Sequence, residues 1–496
     1  MSSKIPAPPR ARRRRRTAAL TLVTLLLLTG AAALAMLERS GVAPRLLGPY
    51  LLGRSSGHNP TIEALGRQAA ATLRLLDRGT PTMTAPPTGM VGAQRTVARS
   101  SGSNSGGNSN RNRSAAVLVD TADELRAAIQ AAEPGTTITI LPGRYRFQGG
   151  PLLAATAGRA AAPIVVQALT PGSVTLEFAA VEAVKVIAPY WQFENLTMRG
   201  VCTSHDDCEH AFHVAGNAHH FVARNNTISD FNAHFKINGE GDDFPDVGLI
   251  EHNTINNSGP RQTIQPVTPI DLVAASGWVV RGNLISDFSK ALGNRVSYGA
   301  FFKGGGRNNR FEGNMVLCEA LSLPAGGQRI GLSLGGGGTT PAFCRDRKCI
   351  TEQSGAVIVA NLIASCSDVG IYLNSAADSR VLHNTLIDTG GIDVRFATSS
   401  ATVTGNLVDG AIRSRDGGLL HVEDNLDTSI AALYLGMHPQ RALLRAPQAF
   451  DWRWTGIAPR STVLRQGVAD LCGTARPAAP SYGATEDFAA CGKATP

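Results

Sequence analysis

A single lysine ends a short apolar run and is followed at once by three glycines, in the stretch YGAFFKGGGRNNRFEGN at residues 298–314. This lysine is Lys303. A charge beside positions without side chains suits a groove for a long polymer, because bare backbone lets the polymer lie close. The alternative interpretation is a solvated strand lysine followed by glycines that only make turns.

Segments of this kind recur, and their polar members line up as one outward column when the segments are stacked as strands. Alternation sends these residues to one exposed face, while apolar neighbours such as Ile270 and Leu373 point into a core. The candidate catalytic residues in the column are Lys303, Lys236, Arg395 and Tyr372. The candidate substrate-binding residues are Asn238, Asp271, Arg307 and Asn374.

A second group of chemically capable residues lies in CTSHDDCEHAFHVAGNAHHF, residues 202–221. His210 and His213 are three residues apart, and with Asp206 or Asp207 they can bind a metal or act as acid and base. A disulfide-closed polar surface loop is the alternative.

Acidic residues cluster further on in NGEGDDFPD, where Glu240, Asp242 and Asp243 are candidate metal ligands. Closely spaced carboxylates bind Ca²⁺, although this stretch lacks a regular calcium-loop signature. Calcium is the one cofactor that the sequence suggests, and a solvated loop is the alternative.

A repeat predicts the elements that position these residues. Short apolar stretches end in Asn followed by an apolar or Thr-Ile pair, at spacings between 19 and 47 residues. Asparagine suits tight turns between strands, and its amide can bond to the same residue one coil away. The sequence therefore predicts an all-β, right-handed parallel β-helix over residues 115–445. The expected ladder is Asn195, Asn226, Asn253, Asn283, Asn314, Asn361, Asn384, Asn406 and Asn425.

Both ends of the β-helix have their own predicted features. Thr121 and Glu124 form a capping box for one helix that covers the first coil. Residues 446–496 are expected to close the last coil, with Phe450, Trp452 and Trp454 as lids.

Eight cysteines, an even number in a chain expected to leave the cytoplasm, favour disulfides over a zinc site. Spacing and coil register suggest the pairs Cys202–Cys208, Cys318–Cys366, Cys344–Cys349 and Cys472–Cys491.

The N-terminal part predicts export. A basic segment at 1–16 precedes 21 uncharged residues at 17–37, which form either a signal anchor or a cleaved signal peptide. A short helical segment at 38–78 and a disordered linker at 79–114 follow. We therefore expect the β-helix to be anchored to the inner membrane and periplasmic, or to be secreted if the signal is cleaved.

Most of the formal net charge of +9 lies in the basic segment, so no nucleic-acid partner is indicated. The expected partners are an acidic polysaccharide and, through the N-terminal segment, the membrane. The folded domain is expected to be a monomer.

The segment PGTTITILPGRY, the asparagine repeats and FFKGGGRNNRFEGN together resemble the pectate-lyase-like β-helix superfamily, most nearly the chondroitinase B and alginate lyase family of polysaccharide lyases. The resemblance covers about residues 117–470 and implies that Lys303 abstracts the C5 proton of a uronic acid. The family's acidic pair that holds Ca²⁺ is replaced by RVSYG, and its Arg-His-Gly is replaced by SLGGGG. Lys303 is therefore the one catalytic residue that the resemblance carries over.

β-Elimination from a uronate needs a cation for the carboxylate, a base, and a proton donor to the leaving oxygen. Lys303 or Lys236 is the candidate base, Arg395 or the other lysine the carboxylate ligand, and Tyr372 the acid. Three functions remain open: a lyase or uronate C5-epimerase, a glycoside hydrolase with paired carboxylates, and a non-catalytic β-helix that binds polysaccharide.

Overall fold

The structure is a computed structural model that describes residues 10–78, 91–93, 116–320, 326–336, 338–463 and 469–492. The expected linker at 79–114 lies outside the described residues except for 91–93. The chain divides into two compact units, one made of Met1–Asp77 with Ser429–Met437, the other of Arg78–Thr428 with His438–Pro496.

The larger unit is a parallel β-helix whose coils each contribute a strand to three long parallel sheets. The twelve-stranded sheet contains Ala116–Val119, Thr137–Ile140, Ile164–Ala168, Trp191–Glu194, Val222–Arg224, Leu249–Glu251, Val279–Arg281, Arg310–Glu312, Val357–Val359, Ser379–Leu382, Ser400–Thr404 and Leu419–Glu423. The ten-stranded sheet contains Leu152–Ala154, Glu182–Val186, His210–Ala215, Ala233–Asn238, Ile270–Val273, Val296–Lys303, Gln328–Leu334, Ile371–Asn374, Gly391–Arg395 and Ala411–Arg415. The eleven-stranded sheet contains Gly143–Gln148, Val174–Ala179, Thr197–Gly200, Thr227–Ser229, Thr254–Asn256, Leu284–Ser286, Met315–Leu317, Leu362–Ala364, Thr385–Ile387, Leu407–Val408 and Leu426–Asp427.

Smaller elements complete this unit. Gly306–Arg307, Gln353–Ser354 and Ala376–Ala377 form a three-stranded parallel sheet, and Leu444–Ala446 pairs antiparallel with Asp451–Trp454. The α-helices here are Ala122–Gln130 and Pro439–Ala442, and the 3₁₀-helices are His205–Asp207, Pro341–Phe343, Pro447–Ala449 and Phe488–Gly492. The capping box forms as expected, because the Thr121 side chain accepts a hydrogen bond from the Glu124 backbone N–H.

The coils are held in register by an apolar interior and by an asparagine ladder. Inward residues of the ten-stranded sheet, such as Ile270, Leu334 and Leu373, are fully buried. From Asn253 to Asn425, the Oδ1 of each ladder asparagine accepts hydrogen bonds of 2.8–3.1 Å from the backbone N–H and the side-chain amide of the asparagine one coil before. The expected fold is confirmed.

The ladder begins one coil later than expected. Arg224 pairs with Glu194, which places Asn226 opposite Leu196 rather than opposite Asn195. Asn195 stands at the preceding position, where the backbone is left-handed with a φ of 63°. The residue before each later ladder asparagine is also left-handed. Asparagine tolerates this conformation as well as the ladder position, so the sequence pattern did not distinguish the two positions at Asn195.

The C-terminal segment packs along the side of the β-helix and meets the last coil at one edge, where Ser461 and Thr462 donate to Oδ2 of Asp424. Outward residues of the eleven-stranded sheet, from Leu284 to Leu407, form one apolar cluster with Phe450, Trp452 and Phe488. Trp454 packs against the same cluster. In the last coil Leu419 remains 65% exposed. Phe450, Trp452 and Trp454 therefore cover the side of the β-helix and not, as expected, its last coil.

Four disulfides form: Cys202–Cys208, Cys318–Cys366, Cys344–Cys349 and Cys472–Cys491. They are the four pairs expected from the sequence. The Cα atoms of Cys318 and Cys366 are 4.8 Å apart, as stacking in neighbouring coils requires.

The smaller unit is helical. It contains the helices Arg10–Ser40 and Pro44–Ser55, the short helix Ile430–Tyr434, and all of the helix Pro60–Arg78 except its last residue. The first helix includes a span of 21 residues, Leu20–Ser40, that is long and apolar enough to cross a membrane, as signal sequences also are. Within this unit the Arg45 guanidinium forms a buried ion pair with Asp77.

Candidate functional site

The outward face of the ten-stranded sheet carries the polar residues that the sequence singled out. One outward column runs Lys185, His213, Lys236, Asp271, Phe301, Ser333, Tyr372, Asp393 and Arg413. Lys303 was expected in the column of Lys236, but the strand pairing puts Phe301 there. Lys303 lies two residues further along its strand, in the neighbouring outward column that also holds Asn238, Val273, Asn374, Arg395 and Arg415.

Lys236 is tied to a partner. Its ammonium donates to Oδ2 of Asp271 at 2.9 Å, and the Asp271 side chain is only 8% exposed. A lysine that neutralises a buried carboxylate is poorly placed to act as a base, because losing its proton would leave that carboxylate unpaired. Lys236 and Asp271 therefore form a structural pair on this face.

Lys303 has a different environment. Among the described residues no carboxylate lies within ion-pair distance of its ammonium, which instead stands 4.3 Å from the centre of the Phe301 ring. The side chain passes over Gly336, where an added Cβ would come within 3.1 Å of the Lys303 Cδ. The glycine thus gives the lysine side chain its space on the face.

The three glycines directly after Lys303 do not form a bare surface. Gly304 and Gly306 are buried in the turn, and a Cβ at Gly304 would meet the backbone N of Ala274 at 2.8 Å. The loop that carries Cys344–Cys349 also covers this turn, since Arg345 N–H donates to the Gly304 carbonyl at 2.9 Å. The open backbone beside Lys303 therefore comes from Gly336, one coil on, and not from Gly304–Gly306.

A second polar group lies two coils beyond Lys303 on the same face. The Tyr372 hydroxyl oxygen accepts hydrogen bonds from Nη1 of Arg395 at 3.3 Å and from Nδ2 of Asn374 at 3.2 Å. Because both bonds use the oxygen as acceptor, the phenol proton remains available to another group. Arg395 also donates to Asp416 at 2.6 Å.

Burial and hydrogen bonds shift the pKa values of two groups around Tyr372. Partial burial alone would lower the pKa of Arg395, but its hydrogen bonds to Tyr372 and Asp416 outweigh that effect and raise the pKa. Burial raises the pKa of the neighbouring Tyr298 to about 12, with a contribution from Tyr372. Arg395 is thus a fixed cation beside the Tyr372 hydroxyl.

Arg307 does not lie on the ten-stranded face. It belongs to the three-stranded sheet, and its backbone N–H donates to Oγ of Ser276. The structure does not bring it together with Lys303 and Tyr372 in one sheet.

The acidic candidates for calcium do not converge either. Asp242 pairs with Arg347 at 2.7 Å, and Glu240 lies 4.0 Å from the Lys185 ammonium. Glu240 and Asp243 contact each other through backbone hydrogen bonds. Among the described residues, Glu240, Asp242 and Asp243 are not part of any group of three metal-binding side chains within reach of one ion.

The histidine-rich stretch lies at the N-terminal end of the same face, where His213 belongs to the outward column. Its ring Nδ1 is 2.6 Å from Oε1 of Glu182, and its Nε2 is 2.9 Å from Oδ1 of Asn238. His210 and His213 hold the pKa of Glu182 well below its usual range. Sequence reasoning missed Glu182, which comes from the coil before, and expected Asp206 or Asp207 instead; Asp206 bonds to Thr263.

Comparison with known proteins supports the fold. No protein-family model and no curated protein matches the sequence. Among solved structures, pectate lyase Pel9A is similar with a TM-score of 0.51 and 15% identity over 73% of this chain and 90% of that one. A rhamnogalacturonan lyase (TM-score 0.47, 12% identity, 63% and 87%) and the A-module of the Azotobacter vinelandii mannuronan C-5 epimerase AlgE4 (0.37, 13%, 62% and 92%) are less similar. The chain is therefore a parallel β-helix protein with the pectate-lyase-like fold.

Proposed function

We propose that this protein is a cell-envelope polysaccharide lyase that cleaves an acidic, uronate-containing polysaccharide by β-elimination. The observation that carries the proposal is Lys303: a lysine without a carboxylate partner among the described residues, beside the open backbone of Gly336 on the outward face. Such a face is long enough to take several sugar residues of a polymer. The fold adds support, since Pel9A is by its name a pectate lyase.

The proposed mechanism uses one base, one acid and one cation. Lys303, in its neutral form, removes the C5 proton of the uronate. The bond from C4 to the glycosidic oxygen then breaks, a double bond forms between C4 and C5, and Tyr372 gives its proton to the leaving oxygen. Arg395 neutralises the sugar carboxylate and stabilises the tyrosinate that remains.

The mechanism requires Lys303, Tyr372 and Arg395 to meet at one sugar linkage, with Arg395 three strands from Lys303, about 14 Å along the stack. Strand pairing places Lys303 and Tyr372 two strands apart, about 10 Å between their strands. The Lys303 side chain extends over Gly336, which follows the strand that lies between them, and so shortens the gap. Lys236 has no part in this mechanism because it is paired with Asp271.

The test is to incubate the full chain in detergent with a panel of uronate polysaccharides and to follow the ultraviolet absorbance of the unsaturated product. We expect a rise that falls by at least about 100-fold in Lys303→Ala, the usual cost of losing a general base. Lys348→Ala is the matched control, because Lys348 is an exposed lysine on the disulfide loop. Its activity should equal that of the wild type.

Other results would change the assignment. An unchanged rate in Lys303→Ala would exclude this lysine as the base. Exchange of the C5 proton with solvent deuterium, without new absorbance, would indicate a uronate C5-epimerase. Binding of a polysaccharide without either reaction would indicate a non-catalytic polysaccharide-binding β-helix.

A further inference from the structure

Two histidines and one carboxylate converge at the N-terminal end of the ten-stranded sheet. Oε1 of Glu182 lies 2.6 Å from Nδ1 of His213 and 3.8 Å from Nδ1 of His210. The three ligand atoms are all within 4.8 Å of one another, and among the described residues this is the one group with that property. It is brought together by strand pairing, because His210 is the register partner of Glu182 in the next coil.

The outer nitrogen of each ring already faces an oxygen. Nε2 of His213 is 2.9 Å from Oδ1 of Asn238, and the Asn238 amide nitrogen donates to the Gly239 carbonyl, which fixes the amide with its oxygen toward the histidine. Nε2 of His210 is 3.7 Å from a carboxylate oxygen of Glu209. With the N–H group on Nε2 of both rings, both Nδ1 lone pairs point toward Glu182.

Two lone pairs and a carboxylate oxygen repel one another unless a positive charge lies between them, which is either a proton on Nδ1 of His213 or a metal ion. Nδ1 of His210 is buried and makes no hydrogen bond to any described residue, so it is an unsatisfied group aimed at this point. A metal ion would satisfy all three atoms at once. The hydrogen bond between Nε2 of His213 and Asn238 is of the kind that commonly orients a metal-binding histidine, while Glu209 lies at ion-pair distance from Nε2 of His210.

We propose that Glu182, His210 and His213 bind a divalent transition-metal ion, with Zn²⁺ as the expected ion. Imidazole nitrogens favour zinc and its neighbours over Ca²⁺ or Mg²⁺, and two histidines with one glutamate form an established zinc ligand set. Three protein ligands leave one tetrahedral position for water or another oxygen ligand. The ligand side chains are 12–22% exposed, so that position is reached from solvent.

This site is distinct from the proposed base. His213 and Lys303 lie on strands three coils apart, about 14 Å along the stack. The proposal therefore does not rest on the lyase assignment and can be tested without a substrate.

The experiment is a Co²⁺ titration of the tag-free full chain in detergent after removal of metals with a chelator. Tetrahedral Co²⁺ with nitrogen ligands has intense visible absorption, which we expect to saturate at one ion per chain and to disappear when Zn²⁺ is added. No free cysteine is present among the described residues to provide a competing thiolate.

Variants assign the signal to these side chains. His210→Ala and His213→Ala should each abolish the visible absorption, whereas His421→Ala, which changes an exposed histidine on another sheet, should leave it unchanged. Asn238→Ala should weaken binding by about 10- to 100-fold, as loss of a group that orients a ligand does. Circular dichroism of each variant checks that the β-helix is folded.

Two results would overturn the proposal. One is the absence of the tetrahedral spectrum in the folded wild type, which would leave Glu182 and His213 as a simple ion pair. The other is stoichiometric binding that persists in the His210→Ala/His213→Ala double variant, which would place the ion on other residues.

Discussion

Two lysines of the same face, Lys236 and Lys303, have opposite roles at the level of the single residue. Lys236 compensates a buried carboxylate, whereas Lys303 contacts an aromatic ring and has no acidic partner among the described residues. The difference matters because an unpaired buried charge is expensive, while a half-buried lysine without a carboxylate partner costs little to remove.

We predict that Lys236→Ala lowers the free energy of unfolding by about 3 kcal/mol, because Asp271 is left buried without its cation. Oδ1 of Asp271 already lacks a hydrogen bond, so no second group takes over. Lys303→Ala should change stability by less than about 0.5 kcal/mol. Denaturant unfolding of both variants measures the difference.

The Lys236→Ala/Asp271→Ala double variant is the control for this prediction. It should recover most of the lost stability, because the unpaired carboxylate is removed as well. Equal stability of Lys236→Ala and the wild type would show that the pair contributes nothing.

The site was partly predictable from the sequence. Lys303 and Tyr372 were recognised from their polar character within apolar strands, and both lie on the expected face. The register of Tyr372 was recognised, but that of Lys303 was not, because a shift of two residues preserves the face and leaves no mark in the alternation. Glu182 was missed because it lies 31 residues before His213, and only the stacking of coils joins them.

At the level of the elements, the asparagine ladder combines turn geometry with hydrogen bonds between coils. In the middle of the ladder, Asn314 accepts from the backbone N–H and amide of Asn283 and donates to Val280 and Asn361. All these groups are buried, so water cannot replace a lost partner.

We predict that Asn314→Ala lowers the free energy of unfolding by about 3 kcal/mol or more, since two buried donors lose their acceptor and two buried acceptors lose a donor. Asn425→Ala, at the partly exposed end of the ladder, should cost about 1 kcal/mol, because water reaches the groups it leaves. Thermal unfolding of the two variants compares them directly. Similar losses at both positions would contradict a role for burial.

The repeat made the β-helix predictable, because the ladder and the period-2 alternation recur in coil after coil. The prediction failed at two local points, the first coil of the ladder and the outer packing of the C-terminal segment. The left-handed position before each ladder residue accepts Asn as well as Gly, so the first coil was read one residue off. The outer packing of Phe450 and Trp452 was not predictable, because outward apolar residues of strands such as Met315–Leu317 carry no signal that names their partner.

For the whole molecule, buried neutral histidines link stability to pH. Burial lowers the pKa of His234 to about 4 and, together with the positive charge of Arg476, the pKa of His383 to about 4. The unfolded chain binds these protons near pH 6.5, so between pH 6.5 and 4 it holds more protons than the folded chain. Stability must therefore fall as the pH falls through this range.

We predict a loss of about 2–3 kcal/mol for each of these two histidines between pH 7 and pH 4.5, from the size of the pKa change. His205, His219 and His252 shift in the same direction. Unfolding at both pH values, with His234→Asn as a comparison, measures the slope. A free energy of unfolding that does not change with pH would contradict the assignment of neutral buried histidines.

The C-terminal segment has a consequence for the order of folding. Coils can stack one after another from the N-terminal end, because each needs only its predecessor. The apolar stripe on the eleven-stranded sheet, from Leu284 to Leu407, is covered mostly by residues from 443 onward, and Val91 packs against the same cluster. Until the last part of the chain is in place, the stacked coils therefore present most of this stripe to the surrounding medium, and the cell must keep it from adhering to other chains.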